Sequence, residues 1–419
     1  MNIKIHRGLD QIGGCITEFS TETSRVFIDF GQNLPGCGVP TTPDEDKELV
    51  ARIFTQNKKE YEAVFYTHGH EDHIGLMEYI PDGVPQYMSE GTKGLLSIKY
   101  EVMYEGANLK VANTLDKDCD QQENSDALSR RTYADNKRKL LENVIVWQKT
   151  LPHKSPASIV IGDIKVTPFF NCHSIYDSHM FLIEADGKRI WHTGDFREHG
   201  YMGKGLFPTL KKYASDIDVL ITEGTMLNQE VNCIHEHEVS SKMASVMHTY
   251  KYVFVLASAT DIERLASIKG AAKKAGKPLC VWSLFLRKTM EFFAVRESKM
   301  SNGLFEFKPL CYSERLFSKF KRRGFTMIAG VSQIERIKEL LGTLPQEETL
   351  LIYSSWDGYY KIPEQVNANP MYKEFREMFH NVVDLHTSGH ADKQTIERVI
   401  KCVNPKEIIC IHKEADAHI

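Results

Sequence analysis

The sequence lacks any apolar run near the roughly 18 residues that a membrane-spanning helix needs. No long apolar core follows Met1, as it would in a signal peptide. The nine cysteines are scattered and form no Cys-x-x-Cys pair. This dispersed, odd set argues against a disulfide framework and for free thiols in a reducing compartment. We therefore expect a cytoplasmic protein without a membrane partner.

A strong charge of one sign is also missing. The chain holds 52 Lys and Arg residues against 56 Asp and Glu residues, a formal net charge of −4. This balance does not indicate nucleic-acid binding by the whole-protein field, although a local basic groove remains compatible with it. The stretch Lys319–Arg323 and the pair Arg287 and Lys288 are candidates for such a groove, or are ordinary solvated faces.

Internal repeats and low-complexity linkers are absent, so we expect a second domain to be inserted into the first rather than attached by a tether. The length of 419 residues predicts two domains, or one with a large insertion. Strand-like runs dominate residues 1–225, helices and strands alternate over 226–380, and a strand, a helix and a strand occupy 381–419. This pattern predicts an α/β fold with a parallel sheet in the middle segment.

Residues 106–143 differ from their surroundings because they are rich in charge and have helical spacing. We interpret them as an exposed helical excursion. It is either a solvated pair of charged helices or a lid or oligomer contact.

The densest chemical signal is His68-Gly69-His70-Glu71-Asp72-His73, which follows the strand-like run Glu62–Tyr66. Alternate residues of an extended turn point the same way, so His68 and His70 can share one metal ion. Asp72 and His73 then face a second ion. Imidazole nitrogens with a carboxylate suit zinc, and paired ions can activate a bridging hydroxide and clamp a phosphoryl oxygen. The alternative is a His-rich surface turn.

A two-ion site needs more ligands than one turn supplies. His173 and His412 each follow a strand-like run, and Asp195 lies in the Gly-Asp turn that closes a predicted hairpin. Each could instead be an ordinary loop residue, whereas His192 and His199 fall at the wrong positions for ligands. The predicted assignment is one zinc ion held by His68, His70 and His173, a second held by Asp72, His73 and His412, and Asp195 as the bridging ligand.

Two further elements suit phosphoester chemistry. Glu223 ends a buried-type strand, where it could orient a histidine or help to deliver a proton. The small-residue turn Ser388-Gly389-His390 could hold a phosphate, and His390 could donate to the transition-state oxygen or the leaving group. The alternatives are a structural strand-end carboxylate and a helix N-terminus capped by Asp392. The predicted catalytic residues are Asp72, Glu223 and His390.

The metal motif, with His173, Asp195 and His412, resembles the ordered motifs of the metallo-β-lactamase fold. Glu223, His390 and His412 resemble the three extra motifs of its β-CASP nucleic-acid-processing branch. Within that branch, residues 67–75 and 388–391 are most similar to ribonuclease J. The resemblance spans nearly the whole chain, with the motifs in the expected order.

The resemblance implies an αββα sandwich formed by residues 1–225 and 381–419, with a β-CASP α/β domain inserted at 226–380. It also implies two zinc ions, hydrolysis of RNA phosphodiesters and contact between His390 and the scissile phosphate. The sequence departs from the family at His412-Lys413-Glu414, where His-Gly-Glu is usual. It also ends at Ile419, before the C-terminal domain that ribonuclease J carries.

The leading hypothesis is a two-zinc ribonuclease that acts on single-stranded RNA. A DNA nuclease of the same fold and a hydrolase of a small phosphodiester or ester remain alternatives, as does a catalytically silent scaffold. Manganese could replace zinc, because ligand type selects only weakly between these ions. Endonuclease or exonuclease action and the oligomeric state stay open.

Overall fold

The computed structural model describes residues 1–37, 39–115, 121–147, 155–231, 233–297 and 302–419. In these ranges the strands form three six-stranded sheets. The eight cysteines within the same ranges are free thiols, as the sequence predicts, and Cys119 lies outside them. None of the described helices is long and apolar enough to cross a membrane.

The first sheet has its strands in chain order, β1-β2-β3-β4-β5-β6. β1 to β3 are antiparallel, and β3 to β6 run parallel to one another. Its strands are β1 Asn2–Arg7, β2 Ile16–Ser20, β3 Ser24–Ile28, β4 Tyr61–Phe65, β5 Gln86–Ser89 and β6 Ile145–Trp147.

The second sheet has the order β18-β11-β10-β9-β8-β7, so the last strand of the chain joins strands from its first half. β18, β11 and β10 are parallel, and β10 to β7 continue as an antiparallel meander. Its strands are β7 Ile159–Ile161, β8 Ile164–Asn171, β9 Ser178–Ala185, β10 Lys188–His192, β11 Val219–Glu223 and β18 Glu407–Ile411.

The third sheet has the order β14-β13-β15-β12-β16-β17 and is parallel throughout. Along β12, Val253 and Val255 pack in one apolar cluster, and Phe254 packs in another on the opposite face. Both faces are therefore covered, as expected for a parallel sheet. Its strands are β12 Tyr252–Leu256, β13 Leu279–Val281, β14 Leu310–Cys311, β15 Phe325–Ala329, β16 Thr349–Tyr353 and β17 Asn381–Asp384.

Fourteen α-helices connect these strands within the described ranges. They are α1 Pro43–Thr55, α2 Glu71–Ile74, α3 Glu90–Leu115, α4 Gln121–Asn143, α5 Leu206–Tyr213, α6 Glu236–Thr249, α7 Ile262–Lys274, α8 Leu284–Glu297, α9 Glu314–Arg323, α10 Ile334–Leu341, α11 Gly358–Lys361, α12 Pro363–Ala368, α13 Pro370–Glu377 and α14 Lys393–Val403.

The core between the first two sheets follows the strand alternation of β9. Phe181 and Ile183 face the first sheet, where the Phe181 ring lies 6.0 Å from Phe65. Leu182 faces the other way, against Trp191 and the helices α5 and α14. Residues of α1 and α3 pack in the core that contains the first sheet. The architecture is the predicted αββα sandwich with an inserted α/β unit.

The end of the inserted unit differs in detail from the prediction. Asn381–Asp384 was predicted to return to the sandwich, but β17 pairs with β16 in the third sheet. The sandwich resumes with α14, which begins at Lys393 after the N-cap residue Asp392, whose side chain accepts from the Thr395 N–H at 2.9 Å. The division at 226–380 is otherwise still a prediction.

The charged excursion forms a pair of helices, α3 and α4, in the part of it that the structure describes. Residues 116–120, between them, lie outside the described ranges. Lys288 of the insert forms ion pairs with Glu101 and Glu105 of α3, at 3.3 and 3.5 Å. These pairs engage the Lys288 ammonium, which weakens its candidacy for a nucleic-acid groove.

Two adjacent phenylalanines of β8 give a matched test of this packing. Phe169 is 4% exposed and its ring lies 4.9 Å from Trp191, whereas Phe170 is 41% exposed. We expect Phe169→Ala to lower the free energy of unfolding by about 3–5 kcal/mol. Phe170→Ala should change it by about 0.5 kcal/mol or less. Urea unfolding midpoints measure both, and equal losses would contradict the assigned faces of β8.

Candidate metal centre

The candidate ligands meet because the strands before them run in one direction. β8, β10, β11 and β18 point the same way in the second sheet, so their carboxyl ends share one edge. His173, Asp195, Glu223 and His412 lie at or just beyond those ends. The turn 67–73 follows β4 of the facing sheet and completes the site.

The first group is formed by three histidines. His70 Nδ1 lies 3.1 Å from His68 Nε2 and 3.2 Å from His173 Nε2. The three ring nitrogens are close enough to bind one metal ion together. The structure thus brings together the set predicted for the first ion.

The second group is formed by Asp72, His73 and His412. His412 Nε2 lies 3.1 Å from Asp72 Oδ2, and His73 Nε2 lies 3.7 Å from the same oxygen. All three side chains are buried. Cys15 is buried beside His73 and His412, and its Sγ could join a ligand group with them.

One oxygen of Asp195 lies between the two groups. Its Oδ2 is within 4 Å of a nitrogen of each of five histidines, with no hydrogen-bond partner in the described part of the chain. His73 Nε2, 3.1 Å away, also lacks a partner in that part. These two atoms are at ion-pair distance from each other but lack hydrogen-bond geometry, and a cation bound by both would offset the cost of burying them. The five histidines are His68, His73, His173, His390 and His412.

Hydrogen bonds at one nitrogen of each imidazole fix which nitrogen is left to bind an ion. His73 Nδ1 donates to Asp29 Oδ2 at 2.7 Å, and His173 Nδ1 donates to the Gly389 carbonyl at 2.7 Å. Thr67 Oγ1 donates to Asp29 Oδ2 and lies 2.9 Å from His68 Nδ1, from which it can accept. Such outer contacts set the tautomer of metal-binding histidines. Nε2 is therefore left for an ion on all three rings.

The same arrangement repeats around Glu223. Thr225 Oγ1 donates to Glu223 Oε2 at 2.8 Å and lies 2.7 Å from His412 Nδ1, from which it accepts. His390 Nδ1 donates to the same Glu223 oxygen at 2.7 Å. The other Glu223 oxygen accepts from the Phe196 N–H at 2.7 Å. Glu223 thus orients His390 directly and His412 through a threonine.

The protonation of the first ligand group and of Asp72 suits metal binding, whereas at His73 burial favours the neutral form but Asp195, Asp72 and Asp29 outweigh it and raise the pKa well above its usual value. Burial, with the neighbouring imidazoles, holds the pKa of His68 and of His173 well below the usual value. Burial likewise lowers the pKa of His70 to about 4. The neutral imidazole is the form that binds a metal. Burial opposes ionisation of Asp72, but His73 and His412 outweigh it and lower the Asp72 pKa to about 2.

His390 differs from the three histidines of the first group. Burial favours its neutral form, but Glu223 and Asp195 outweigh burial and raise the His390 pKa to about 9. Its side chain is 22% exposed, whereas the His68 and His173 side chains are fully buried. His390 is therefore a partly accessible group at the edge of the ligand cluster, and its neighbouring carboxylates favour the protonated form.

The turn before His390 is held by internal contacts. Ser388 Oγ accepts from the His390 N–H at 3.0 Å, and the Ser388 carbonyl accepts from His199 Nε2 at 2.7 Å. A Cβ on Gly389 would lie 2.2 Å from Ser174 Oγ, so only glycine allows this close approach. The contacts of Ser388 and Gly389 described above are made within the protein. Phosphate binding by these two residues therefore remains a prediction.

Sequence reasoning missed Asp29, Thr67 and Thr225. Asp29 is buried, follows β3 and has a φ of 64°, a conformation that Asp tolerates better than most residues. An Asp directly after a buried strand was the available signal. His192, set aside as a strand residue, is the last residue of β10, and its Nδ1 accepts from the Gly194 N–H at 3.1 Å.

A protein-family model described as the Zn-dependent metallo-hydrolase RNA specificity domain matches residues 378–418. These residues include the turn 388–390 and His412. The chain resembles ribonuclease J. It is 21% identical over 412 residues to ribonuclease J of Sinorhizobium meliloti, with 94% of this chain and 64% of that protein covered.

Further relatives agree with this resemblance to the β-CASP branch of the metallo-β-lactamase fold. Ribonuclease J of Thermus thermophilus is 22% identical, over 97% of this chain and 67% of that protein. An RNase J-like protein of Methanocaldococcus jannaschii is 26% identical, over 53% of this chain and 42% of that protein. The chain spans about two thirds of the length of the two ribonucleases J.

A solved structure supports the fold. A protein of unknown function from Enterococcus faecalis V583 matches with a TM-score of 0.68 at 16% identity, covering 99% of this chain and 94% of that one. The αββα sandwich and the inserted α/β unit are therefore shared along nearly the whole length of both chains.

Asp29→Asn tests the outer contacts of the metal centre. One Asp29 oxygen accepts from the Thr67 N–H and the other from Thr67 Oγ1 and His73 Nδ1, so an amide must oppose a donor in either orientation. We expect the affinity for zinc to fall by about 10- to 100-fold. Competition with a chromogenic chelator measures it.

Asp177→Asn is the matched control, because Asp177 is also buried with a φ of 63° and accepts from the Gly91 N–H rather than from a candidate ligand. Unchanged zinc affinity in Asp29→Asn would show that Asp29 does not orient the ligands.

Proposed function

We propose that the chain is a metal-dependent hydrolase of RNA phosphodiester bonds that works with two zinc ions. The observation that carries the proposal is the unpartnered Asp195 oxygen between two ligand groups. A single ion would leave one group of buried imidazoles without a cation, whereas two ions use both groups and share Asp195.

One ion would bind His68, His70 and His173, and the other would bind Asp72, His73 and His412. Zinc suits this nitrogen-rich set, and manganese is the alternative. Such a pair of ions supplies a hydroxide nucleophile at neutral pH and polarises a phosphoryl oxygen.

The protein's own part in the reaction centres on His390. Its Nδ1 is engaged by Glu223, so the Nε2 N–H is left for the substrate. From there it can stabilise charge on a phosphoryl oxygen or give a proton to the leaving oxygen. Glu223 keeps the ring oriented and compensates its positive charge.

The choice of RNA is supported by the matched family description and by the names of the relatives. The matched residues 378–418 contain His390 and His412, so the likeness covers the part of the site that would contact the phosphodiester. We propose single-stranded RNA, because a strand without a partner can follow a cleft between the sandwich and the insert.

A cleavage assay tests this function directly. Metal-loaded protein is given 5′-monophosphorylated single-stranded RNA or DNA of the same sequence, each labelled at either end, with Asp72→Asn as the blank. We expect metal-dependent cleavage of RNA with DNA spared, and the product ladder separates exonuclease from endonuclease action. Cleavage of DNA alone would favour the DNA-nuclease alternative. Inactivity on both would sink the nuclease proposal.

His390→Ala separates chemistry from metal binding. Because His390 Nδ1 contacts Glu223 rather than a predicted ion, the variant should retain both ions. Its turnover of RNA should fall by about 10²- to 10⁴-fold, the usual contribution of a proton donor. Zinc content by elemental analysis and single-turnover rates are the measurements.

His380→Ala is the control, since His380 is an exposed histidine outside the ligand cluster. A normal turnover rate in His390→Ala would remove His390 from the mechanism.

A further inference from the structure

The segment that contains Trp356 and Tyr359 begins beside the turn that carries His390. β16 and β17 are adjacent parallel strands, so the segments after them leave the same edge of the third sheet. β17 leads into residues 385–390, and β16 leads into Ser354. Ser354 Oγ donates to the Leu385 carbonyl at 2.7 Å, and His386 Nδ1 lies 3.2 Å from the Ser354 carbonyl. Ligands of open parallel sheets bind at this edge.

Trp356 and Tyr359 lie in this segment and contact each other. Their ring centroids are 5.3 Å apart at 77°, and Tyr359 stacks on Tyr372 at 4.4 Å and 21°. All three side chains are only partly buried. Tyr372 packs against an apolar cluster of the third sheet, whereas Trp356 and Tyr359 keep aromatic surface outside that cluster.

Gly358 fixes the position of the indole. A Cβ at Gly358 would lie 2.4 Å from Cζ2 of Trp356, so the ring lies directly against the glycine backbone. The Tyr353 hydroxyl donates to the Trp356 carbonyl at 3.3 Å. The orientation of the indole is thus built into the backbone before any ligand binds, which lowers the entropy lost on binding.

The segment that follows Trp356 and Tyr359 also contacts the sandwich. Gln365 of α12 donates to the Pro35 carbonyl at 3.0 Å. The neighbouring Leu34 and the candidate ligand Asp72 both lie beside Gly13, since a Cβ there would be 3.0 Å from each side chain. Burial, with Tyr372 and the Asp72 carboxylate, raises the Tyr359 pKa to about 12. The segment is thus held on one side by the strand end that leads to the His390 turn and on the other by the loop beside the second ligand group.

Two polar groups of this surface are free. Within the described ranges, neither the Trp356 indole N–H nor the Tyr359 hydroxyl forms a hydrogen bond with the protein, and neither is among the buried unpartnered atoms. An aromatic face with a free donor at its edge suits a nucleotide, which offers a base to stack on and phosphate oxygens to accept.

We propose that Trp356 and Tyr359 form a stacking site for one nucleobase of the RNA, next to the phosphodiester to be cleaved. This inference rests on the proposed function and adds a site that binds the base rather than the phosphate. Stacking needs no base-edge contact, so the site would hold any base and would favour single strands, whose bases are unpaired. The competing explanation is that the rings only support the packing of α11, α12 and α13.

Binding of an abasic probe distinguishes the two explanations. Zinc-loaded His390→Ala protein is titrated with a short single-stranded RNA and with the same RNA carrying one abasic ribose, moved along its length. At one position the abasic ribose should weaken binding by about tenfold. Adding Trp356→Ala or Tyr359→Ala should weaken binding of the intact RNA by a similar factor and abolish the difference between the two probes.

Trp282→Ala is the matched control, because Trp282 also stacks on a tyrosine, at 4.0 Å from Tyr312. It follows β13, three strands away from β16 and thus about 14 Å along the sheet. This variant should keep the tenfold difference between the probes.

An undiminished abasic effect in both Trp356→Ala and Tyr359→Ala would overturn the stacking site and leave the proposed function intact. Failure of the His390→Ala protein itself to bind RNA would overturn both. If Trp356→Ala does not fold, Trp356→Phe decides. The RNA-induced quenching of tryptophan fluorescence should then be lost, and full quenching would contradict the proposal.

Discussion

The buried carboxylate of Asp195 is the constraint on which the rest of the site depends. One of its oxygens faces nitrogens of five histidines and has no hydrogen-bond partner in the described ranges. In a low-dielectric interior that arrangement is costly without a cation. The surrounding residues reduce the cost by fixing His68, His73, His173 and His412 in the tautomer that presents Nε2. The folded chain therefore carries a preorganised cation site, at the expense of local stability that bound metal would restore.

Two pairs of residues orient the histidines in the same way. Asp29 with Thr67, and Glu223 with Thr225, each hold two histidines through one carboxylate and one hydroxyl. The first pair belongs to the sheet that carries the His68–His73 turn, and the second pair belongs to the facing sheet. Each sheet of the sandwich thus orients its own ligands. The packing of the two sheets on their shared core brings the two sets of ligands together.

The inserted unit reaches this site through a buried ionic network. Arg197 of the sandwich pairs with Asp261 and Glu263 of the insert at 2.9 Å, and Arg264 pairs with Glu236. Arg264 also donates to the Thr387 carbonyl at 3.0 Å, just before the His390 turn. These charges are almost fully buried, so each depends on its partners. The network links the position of His390, and of the adjoining aromatic segment, to the seating of the insert on the sandwich.

The sequence by itself determined the α/β class, the order of the motifs and the candidate metal ligands, because ligand spacing and strand periodicity are local properties. The His68–His73 turn could be recognised from six residues of chain. Only the tertiary structure decided which side chains support those ligands. Asp29, which follows β3, contacts His73, which follows the adjacent strand β4. Thr225 contacts His412, which lies in a distant part of the sequence. Strand pairing also placed Asn381–Asp384 in the third sheet, since hydrogen-bond partners are chosen between strands rather than within one.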